Sequence, residues 1–148
     1  AVTTRHVVLA YVRRPSVTVI DRASGEVRRA LKGFQQPMGV VAHEDGTIDV
    51  VDFATGELLR LSASDDARRV IASGLAGPVG LAQDARGRLI VGEATSGRLL
   101  RIDPASGARE VLASGLAQPE GIAVLPDGAI AVAEVGARRL SIVAARGG

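Results

Sequence analysis

The sequence contains no cysteine and very few aromatic residues, and both deficits limit what the protein can do. The lack of cysteine excludes a disulfide framework, a thiol nucleophile and any cysteine-ligated metal or cluster. Only Tyr11, Phe34 and Phe53 are aromatic, so surfaces on which bases, sugars or flavins could stack are nearly absent. No apolar run approaches the roughly 18 residues of a membrane-spanning helix, and the N-terminus has no signal-peptide pattern. We expect a soluble chain whose compartment the sequence leaves open.

Charge of either sign is not in large excess. The 148 residues include 18 basic and 16 acidic ones, which give a formal net charge of +2, and 47% of the residues are hydrophobic. These values are typical of one soluble domain with a sizeable core. Balanced charge and the shortage of aromatic residues argue against a nucleic-acid partner, and no pattern indicates a membrane partner.

What the sequence does contain is an internal repeat that extends over the whole chain. Three tripeptides of the form Pro-x-Gly recur at a spacing of 41 residues: Pro37-Met38-Gly39, Pro78-Val79-Gly80 and Pro119-Glu120-Gly121. Residues 21–25 match residues 103–107, which follow two repeat lengths later in the sequence, so the N-terminal segment is a further, partial copy of the repeat. This many positions in one register indicate a repeat architecture.

Each copy is punctuated by turns about every ten residues, and the segments between the turns are rich in Val, Ile and Leu. Such segments are typical of short β-strands, and long helices have no room. In the second strand of each copy, apolar residues two apart define a buried face: residues 47–52, 88–93 and 129–134. The fourth strand is more polar, as expected of an outer edge. Four antiparallel strands in a repeat of about 40 residues predict an all-β fold, a β-propeller in which each repeat forms one blade.

The repeat resembles a known family of propeller blades. Residues 119–123 and 134–140 are similar to NHL-type repeats, and the Pro-x-Gly blade start also occurs in the gluconolactonase and senescence-marker-protein family of propellers. The resemblance covers almost the entire chain. It implies the fold rather than a particular function, because the shared residues are turn glycines, prolines and core aliphatic residues.

The predicted strands make an incomplete ring in a single domain, residues 1–148. We label the strands of a blade a to d from the inside outward. The chain supplies a partial blade with strands b to d, two complete blades and a partial blade with strands a to c: 1–31, 32–72, 73–113 and 114–148. These make about three and a half blades, whereas the propellers that the chain resembles close with roughly six or seven. The open apolar faces of the end blades would be covered by self-association or by missing blades of a longer propeller, and both alternatives stay open at this point.

The residue between Pro and Gly of each blade start is the natural position for a ligand site, because the inner strands of neighbouring blades converge there on the propeller axis. These residues are Met38, Val79 and Glu120. In the gluconolactonase-like family, acidic or amide residues at such positions ligate a divalent cation, which needs oxygen ligands from several blades. Glu120 is therefore a candidate metal ligand. Calcium would require the other ligands to come from another chain or from missing blades, and no other cofactor is indicated.

A second set of acidic residues, Asp52, Glu93 and Glu134, recurs at the end of strand b. Recurrence in every complete blade favours a structural role, since catalysis needs a residue only once. A carboxylate there can accept hydrogen bonds from backbone N–H groups of the adjacent turn, or it can face Arg98 and Arg139, five residues on from the two glutamates. Cation binding or catalysis by this set is the alternative interpretation.

The two histidines do not support a shared metal site. His6 and His43 lie 37 residues apart, so they are not at equivalent positions of the repeat. His43 lies beside Glu44 and Asp45, and an ordinary solvated turn is favoured over an ion-binding cluster there.

No catalytic triad, phosphate-binding glycine loop or cofactor fingerprint can be found, so the catalytic residues, if there are any, are unknown. We expect a propeller repeat module for binding or assembly, which takes a peptide, protein or small ligand and completes a ring by self-association. The alternative is half, or a fragment, of a gluconolactonase-like metal-dependent hydrolase or a related propeller lyase. A self-associating fragment without activity is a third interpretation.

Overall fold

The computed structural model describes residues 1–144, and within them the chain forms fourteen β-strands in four antiparallel sheets, which we number as blades 1 to 4. Blade 1 contains β1 (His6–Tyr11), β2 (Ser16–Asp21) and β3 (Val27–Leu31). Blade 2 contains β4 (Pro37–Ala42), β5 (Ile48–Asp52), β6 (Glu57–Leu61) and β7 (Arg68–Ala72). Blade 3 contains β8 (Pro78–Gln83), β9 (Leu89–Glu93), β10 (Arg98–Ile102) and β11 (Arg109–Ala113). Blade 4 contains β12 (Pro119–Val124), β13 (Ile130–Glu134) and β14 (Arg139–Val143).

This architecture confirms the predicted β-propeller of about three and a half blades. The strands of each sheet lie in chain order, with every neighbouring pair antiparallel. A 3-10 turn at Val135–Ala137 is the only helical element in the described range. No helix within residues 1–144 is long and apolar enough to cross a membrane.

The turns repeat along with the strands. Gly46, Gly87 and Gly128 occupy the turn between strands a and b with φ values of 86°, 80° and 83°, a left-handed conformation that glycine adopts without strain. The carboxylates of Asp21 and Asp103 each accept hydrogen bonds from the N–H groups two and three residues on, at 2.8–2.9 Å. These local interactions explain why the same strand boundaries recur in each copy.

The hydrophobic core lies between blades, in three clusters. The cluster between blades 1 and 2 combines Val8, Val17, Val19 and Leu31 with Ile48, Val50, Leu59 and Leu61. That between blades 2 and 3 combines Val51, Leu58, Ile71 and Ala72 with Leu89, Val91, Leu100 and Ile102. That between blades 3 and 4 combines Ile90, Leu99 and Leu112 with Ile130 and Val132. Blades 2 and 3 each pack against a neighbouring blade on both faces. Because side chains point alternately to the two faces along a strand, every residue of β5 and β9 is buried.

The inner strands β4, β8 and β12 lie side by side, and glycine permits their close approach. A Cβ atom at Gly39 would lie 2.6 Å from the carbonyl oxygen of Val79, and one at Gly80 would overlap the carbonyl oxygen of Glu120. At Gly121 the added atom would meet only the Cβ of Ala133, in the same blade, at 3.3 Å. The third blade start therefore has the glycine but no following inner strand among the described residues.

The inner edge of blade 1 is partly covered by the first residues of the chain. Val2 forms an antiparallel bridge with Val7, and Ala1 and Val8 exchange two hydrogen bonds of 2.8 Å. Residues 1 and 2 thus lie beside the start of β1, in the way that the end of β4 lies beside the start of β5 in blade 2. Residues 9–11 have no strand on this side among the described residues.

Candidate functional site

The blade-start residues Met38, Val79 and Glu120 are the second residues of β4, β8 and β12, and all three are half-buried. Met38 packs against the apolar cluster between blades 2 and 3, so part of its side chain belongs to the core. The carboxylate of Glu120 accepts no hydrogen bond from any residue in the described part of the chain. Glu120 is therefore the one of the three with a polar group free to accept a ligand.

The divalent cation implied by the resemblance does not fit these residues. A hard cation takes about six to eight oxygen ligands, and the side chains of Met38 and Val79 offer none. Within residues 1–144, no three histidine, aspartate or glutamate side chains come together as a metal-binding group. The blade starts of this chain do not by themselves make a cation site.

The acidic residues at the end of strand b are buried and fully occupied with hydrogen bonds. Asp52 is 1% exposed, and its carboxylate accepts four backbone N–H groups. Two of the donors, Gln35 and Gln36 at 2.7 and 3.0 Å, belong to the linker before β4. The other two lie in the turn after β5. Asp52 thus connects the end of β5 to the linker that leads into β4 by hydrogen bonds.

Glu93 makes the same connection in blade 3. Its carboxylate accepts the N–H of Ala76 in the linker at 2.9 Å, the hydroxyl of Ser96 at 2.6 Å and the Nε of Arg98 at 2.7 Å. Burial by itself would raise the pKa of Glu93, but the hydrogen bonds from Arg98, Ser96 and Ala76 outweigh it and hold the pKa below its usual value. The group is therefore ionised at neutral pH.

Glu134 repeats the arrangement in blade 4. It accepts hydrogen bonds from the N–H of Ala117 at 2.7 Å, from Nε of Arg139 at 2.8 Å and from the hydroxyl of Ser141. The Arg139 guanidinium, followed by Ser141 and Ala117, lowers the pKa of Glu134 to about 2. The contacts with Arg98 and Arg139 that the five-residue spacing indicated are both present. Tyr11, at this position in blade 1, is exposed.

The sequence interpretation missed a buried ionic group in blade 2. Asp49 is fully buried and receives two hydrogen bonds from Arg60, from Nε at 2.7 Å and Nη2 at 2.6 Å, and a contact of 2.7 Å from Nε2 of His43. Burial would raise the pKa of Asp49, but Arg60 and His43 lower it. His43 therefore contacts a buried carboxylate within blade 2, so the favoured interpretation as a residue of an ordinary solvated turn is wrong, and its partner is Asp49 rather than Glu44 or Asp45. The signal in the sequence was an aspartate at a position that is Val8 or Ile90 in neighbouring copies.

His6 lies elsewhere, at the start of β1. It lines an open cleft of about 620 Å³ together with Arg5, Arg22 and Arg28. Arg28 pairs with Asp21 at 3.1 Å, and Arg22 donates a hydrogen bond to the carbonyl oxygen of Thr3 at 2.9 Å. The two histidines thus lie in different blades and make no common site.

Blade 4 leaves apolar side chains uncovered on the face that points away from blade 3. We call this the tail face and define it by strand positions whose equivalents in blades 2 and 3 point toward the next blade: Ala131, Ala133, Leu140 and Ile142. Leu140 is 69% exposed, whereas Leu58 and Leu99, at the same position of the repeat, are 0% exposed. Ile142 is 58% exposed. The tail face has the composition of a blade interface without a neighbour among the described residues.

Blade 1 carries the opposite half of such an interface. We call it the head face and define it by the positions that point toward the preceding blade in blades 2 and 3: Val7, Leu9, Thr18 and Ile20. Their equivalents Ile48, Val50, Leu59 and Leu61 form the side of blade 2 that packs on blade 1. In blade 1 all four residues are only half-buried.

No protein-family model and no curated protein matches this sequence. Solved structures do match the fold. A chain in the crystal structure of a nidogen/laminin complex has a TM-score of 0.83 at 20% identity, over 93% of this chain and 56% of that chain. Virginiamycin B lyase from Staphylococcus aureus has a TM-score of 0.75 at 14% identity, over 96% and 53% of the two chains. A streptogramin B lyase has a TM-score of 0.76 at 13% identity, over 96% and 52%.

At these identities the likeness shows the fold alone. This chain is a β-propeller repeat protein, and it spans about half the length of the similar solved chains. The NHL or gluconolactonase-like type of its blades, indicated by the Pro-x-Gly pattern, stays a prediction.

Proposed function

We propose that this chain is a β-propeller repeat module that acts through binding or assembly and completes a propeller ring by self-association. The exposure of Leu140 carries this proposal, because the equivalent residues Leu58 and Leu99 are fully buried between blades. Burying exposed apolar surface stabilises an assembly by about 25 cal/mol per Å². The greater length of the similar solved chains agrees with a ring that needs more blades than one copy contains.

In the completed ring we expect the blade-start end to carry the ligand surface. Met38, Val79 and Glu120 begin the inner strands there, and the carboxylate of Glu120 has no partner among residues 1–144. A peptide, protein or small ligand with a hydrogen-bond donor or a positive charge fits such a group. We infer from the blade starts and their spacing of 41 residues that the blades are of the NHL or gluconolactonase-like type.

The mass in solution tests the assembly. Light scattering coupled to size exclusion, at several protein concentrations, should give a defined multiple of the chain mass of 15.2 kDa. A defined dimer or other oligomer supports the proposal. A monomer at every concentration, or aggregates without a defined mass, contradicts ring completion by this chain alone.

A second candidate function is catalysis by half of a metal-dependent hydrolase or a propeller lyase. Its support is that two of the similar solved structures are lyases, for virginiamycin B and for streptogramin B. In this alternative Glu120 supplies one ligand, and the others come from a second chain or from further blades.

Thermal melting with and without calcium, and with other divalent cations, tests this alternative. A specific ion raises the melting temperature by mass action. The rise should be lost in Glu120→Gln and kept in Glu26→Gln, whose exposed side chain lies in the turn between β2 and β3 of blade 1. No rise in the assembled protein, or the same rise in both variants, contradicts a metal site at Glu120.

A further inference from the structure

The three blade interfaces inside this chain are built from the same positions of the repeat. The earlier blade contributes Val17, Leu58 or Leu99 from strand c, and the later blade contributes apolar pairs from strand b such as Ile48 and Val50. Because both sides recur, the face of any blade toward its successor matches the face of any blade toward its predecessor. The tail face and the head face therefore carry the strand b and strand c positions of the two sides of one interface. Strand d, which adds Leu31, Ile71 and Leu112 to the internal interfaces, is not among the described strands of blade 4.

The tail face and the head face also carry no charged residue that would oppose their contact. Arg60 and Arg101 occupy the position of Ile142 in the complete blades, where Arg60 pairs with Asp49 at 2.6 Å and Arg101 with Glu110 at 2.9 Å. Blade 4 has the uncharged Ile142 instead, and none of the defining residues of either face is charged. The two faces can come together without removing a charge from water.

The outer rim beside the head face also lacks a charged residue that the internal interfaces have. Arg68 in blade 2 donates hydrogen bonds to the carbonyl oxygens of Lys32 and Gly33, in the linker from blade 1, and Arg109 in blade 3 donates to that of Ser73. The equivalent residue in blade 1 is Val27, which is 61% exposed. The rim beside the head face is thus apolar where the internal interfaces have an arginine.

We propose that a second copy of this chain covers the tail face with its head face, so that the copies associate head to tail. The inference rests on the proposed function and adds which surfaces meet. Such a junction repeats the blade order inside the chain, as in other heterologous contacts that close rings when their rotation permits. A tail-to-tail contact would place Leu140 against Leu140, an arrangement that none of the three described interfaces contains.

Two complementary variants test the orientation. Leu140→Asp spoils the tail face and leaves the head face intact, and Thr18→Asp does the reverse. Both side chains are at least partly exposed, so we expect each variant to fold. Val70→Asp is the matched control, because Val70 is 50% exposed on the outer edge strand of blade 2 and belongs to neither face.

Each interface variant by itself should be a monomer, since a charge placed in an apolar contact weakens association by roughly 100-fold or more. Val70→Asp should have the wild-type mass. An equimolar mixture of Leu140→Asp and Thr18→Asp should form a one-to-one complex, because the intact tail face of one variant meets the intact head face of the other. Differential fluorescent labels and light scattering measure the composition and the mass of the complex.

The results separate this inference from the proposed function. A wild-type oligomer that Leu140→Asp dissociates and Thr18→Asp does not would overturn the head-to-tail orientation and leave assembly in place. The same holds if both variants are folded monomers and their mixture stays monomeric. A wild-type protein that is monomeric at every concentration overturns ring completion and the inference together.

Discussion

At the residue scale, the carboxylates that end strand b show how one position keeps its contacts with different side chains. Asp52 accepts four backbone N–H groups, and residue 57, five positions on, is a glutamate. Glu93 is one methylene longer, accepts fewer backbone groups and pairs with Arg98, the residue equivalent to Glu57. The longer carboxylate thus occurs with an arginine within reach, and the shorter one depends on the backbone.

Replacing Glu93 tests the structural interpretation of this position. Glu93→Ala leaves the N–H of Ala76 and the guanidinium of Arg98 without their acceptor, so the free energy of unfolding should fall by about 1 to 3 kcal/mol. Urea denaturation followed by circular dichroism measures the change. Glu26→Ala is the control and should change stability by less than about 0.5 kcal/mol, because its side chain is exposed. Equal midpoints for both variants would contradict a structural role.

At the element scale, the inner strands depend on glycine at one repeat position, yet only two of the three glycines face a neighbouring inner strand in the described chain. Gly39 lies against the backbone of β8, and Gly80 lies against that of β12. Gly121 has the same place in its own strand and lacks the neighbour. The same position of the repeat can therefore be compared with a neighbouring inner strand, at Gly80, and without one among the described residues, at Gly121.

Alanine at these positions should have different effects. Gly80→Ala places a methyl group on the carbonyl oxygen of Glu120 and should lower the free energy of unfolding by about 2 kcal/mol or more, through overpacking. Gly121→Ala meets only Ala133 and should cost much less. Chemical denaturation of both variants, side by side, measures the difference. If the two substitutions destabilise equally, an inner strand lies against β12.

At the scale of the whole molecule, hydrogen-bonded carboxylates occur in all four blades, and those of blades 2, 3 and 4 include fully buried ones. Burial opposes ionisation of Asp49, Asp84 and Glu93, but hydrogen bonds from arginines and other donors hold the pKa of each below its usual value. The N–H of Ser24 and the guanidinium of Arg28 lower the pKa of Asp21 to about 2. The core between blades is therefore supplemented by ionised groups that connect strands and linkers.

This pattern predicts that the protein loses stability in acid. A carboxylate with a lowered pKa in the folded state stabilises the fold above its unfolded pKa, and this contribution disappears as pH falls through the folded value. For Glu134 the window extends from the usual 4.5 down to about 2. Melting temperatures between pH 7 and pH 2.5 at constant ionic strength should therefore fall below about pH 4.5. In Glu134→Gln the melting temperature should fall less steeply with pH. The difference from the unsubstituted protein separates the contribution of the Glu134 carboxylate from general charge repulsion at low pH. A melting temperature that is constant down to pH 3 would contradict the prediction.

Much of the fold was predictable from the sequence, because turns and strands are specified locally. The 41-residue spacing and the turn glycines predicted the four sheets and the blades in which strands are missing. The candidate site was predictable only in part. The pairing of Glu93 with Arg98 follows from residues five apart across one turn. The contact of Asp52 with Gln35 and Gln36 joins residues 16 and 17 positions apart and depends on how the linker returns to the strand.

The local sequence pattern specifies the blade: strand lengths, turn positions and the alternation of apolar residues are properties of short segments that each copy repeats. What each repeated position does depends on how the blades pack against one another. Leu58, Leu99 and Leu140 are the same residue at the same position, and only the presence of a following blade makes two of them core residues and leaves the third 69% exposed. Burial is a property of the neighbours that a side chain meets across an interface, so no local pattern specifies it. The sequence predicted open apolar faces at the two ends of the chain, but only the blades side by side showed which residues form those faces.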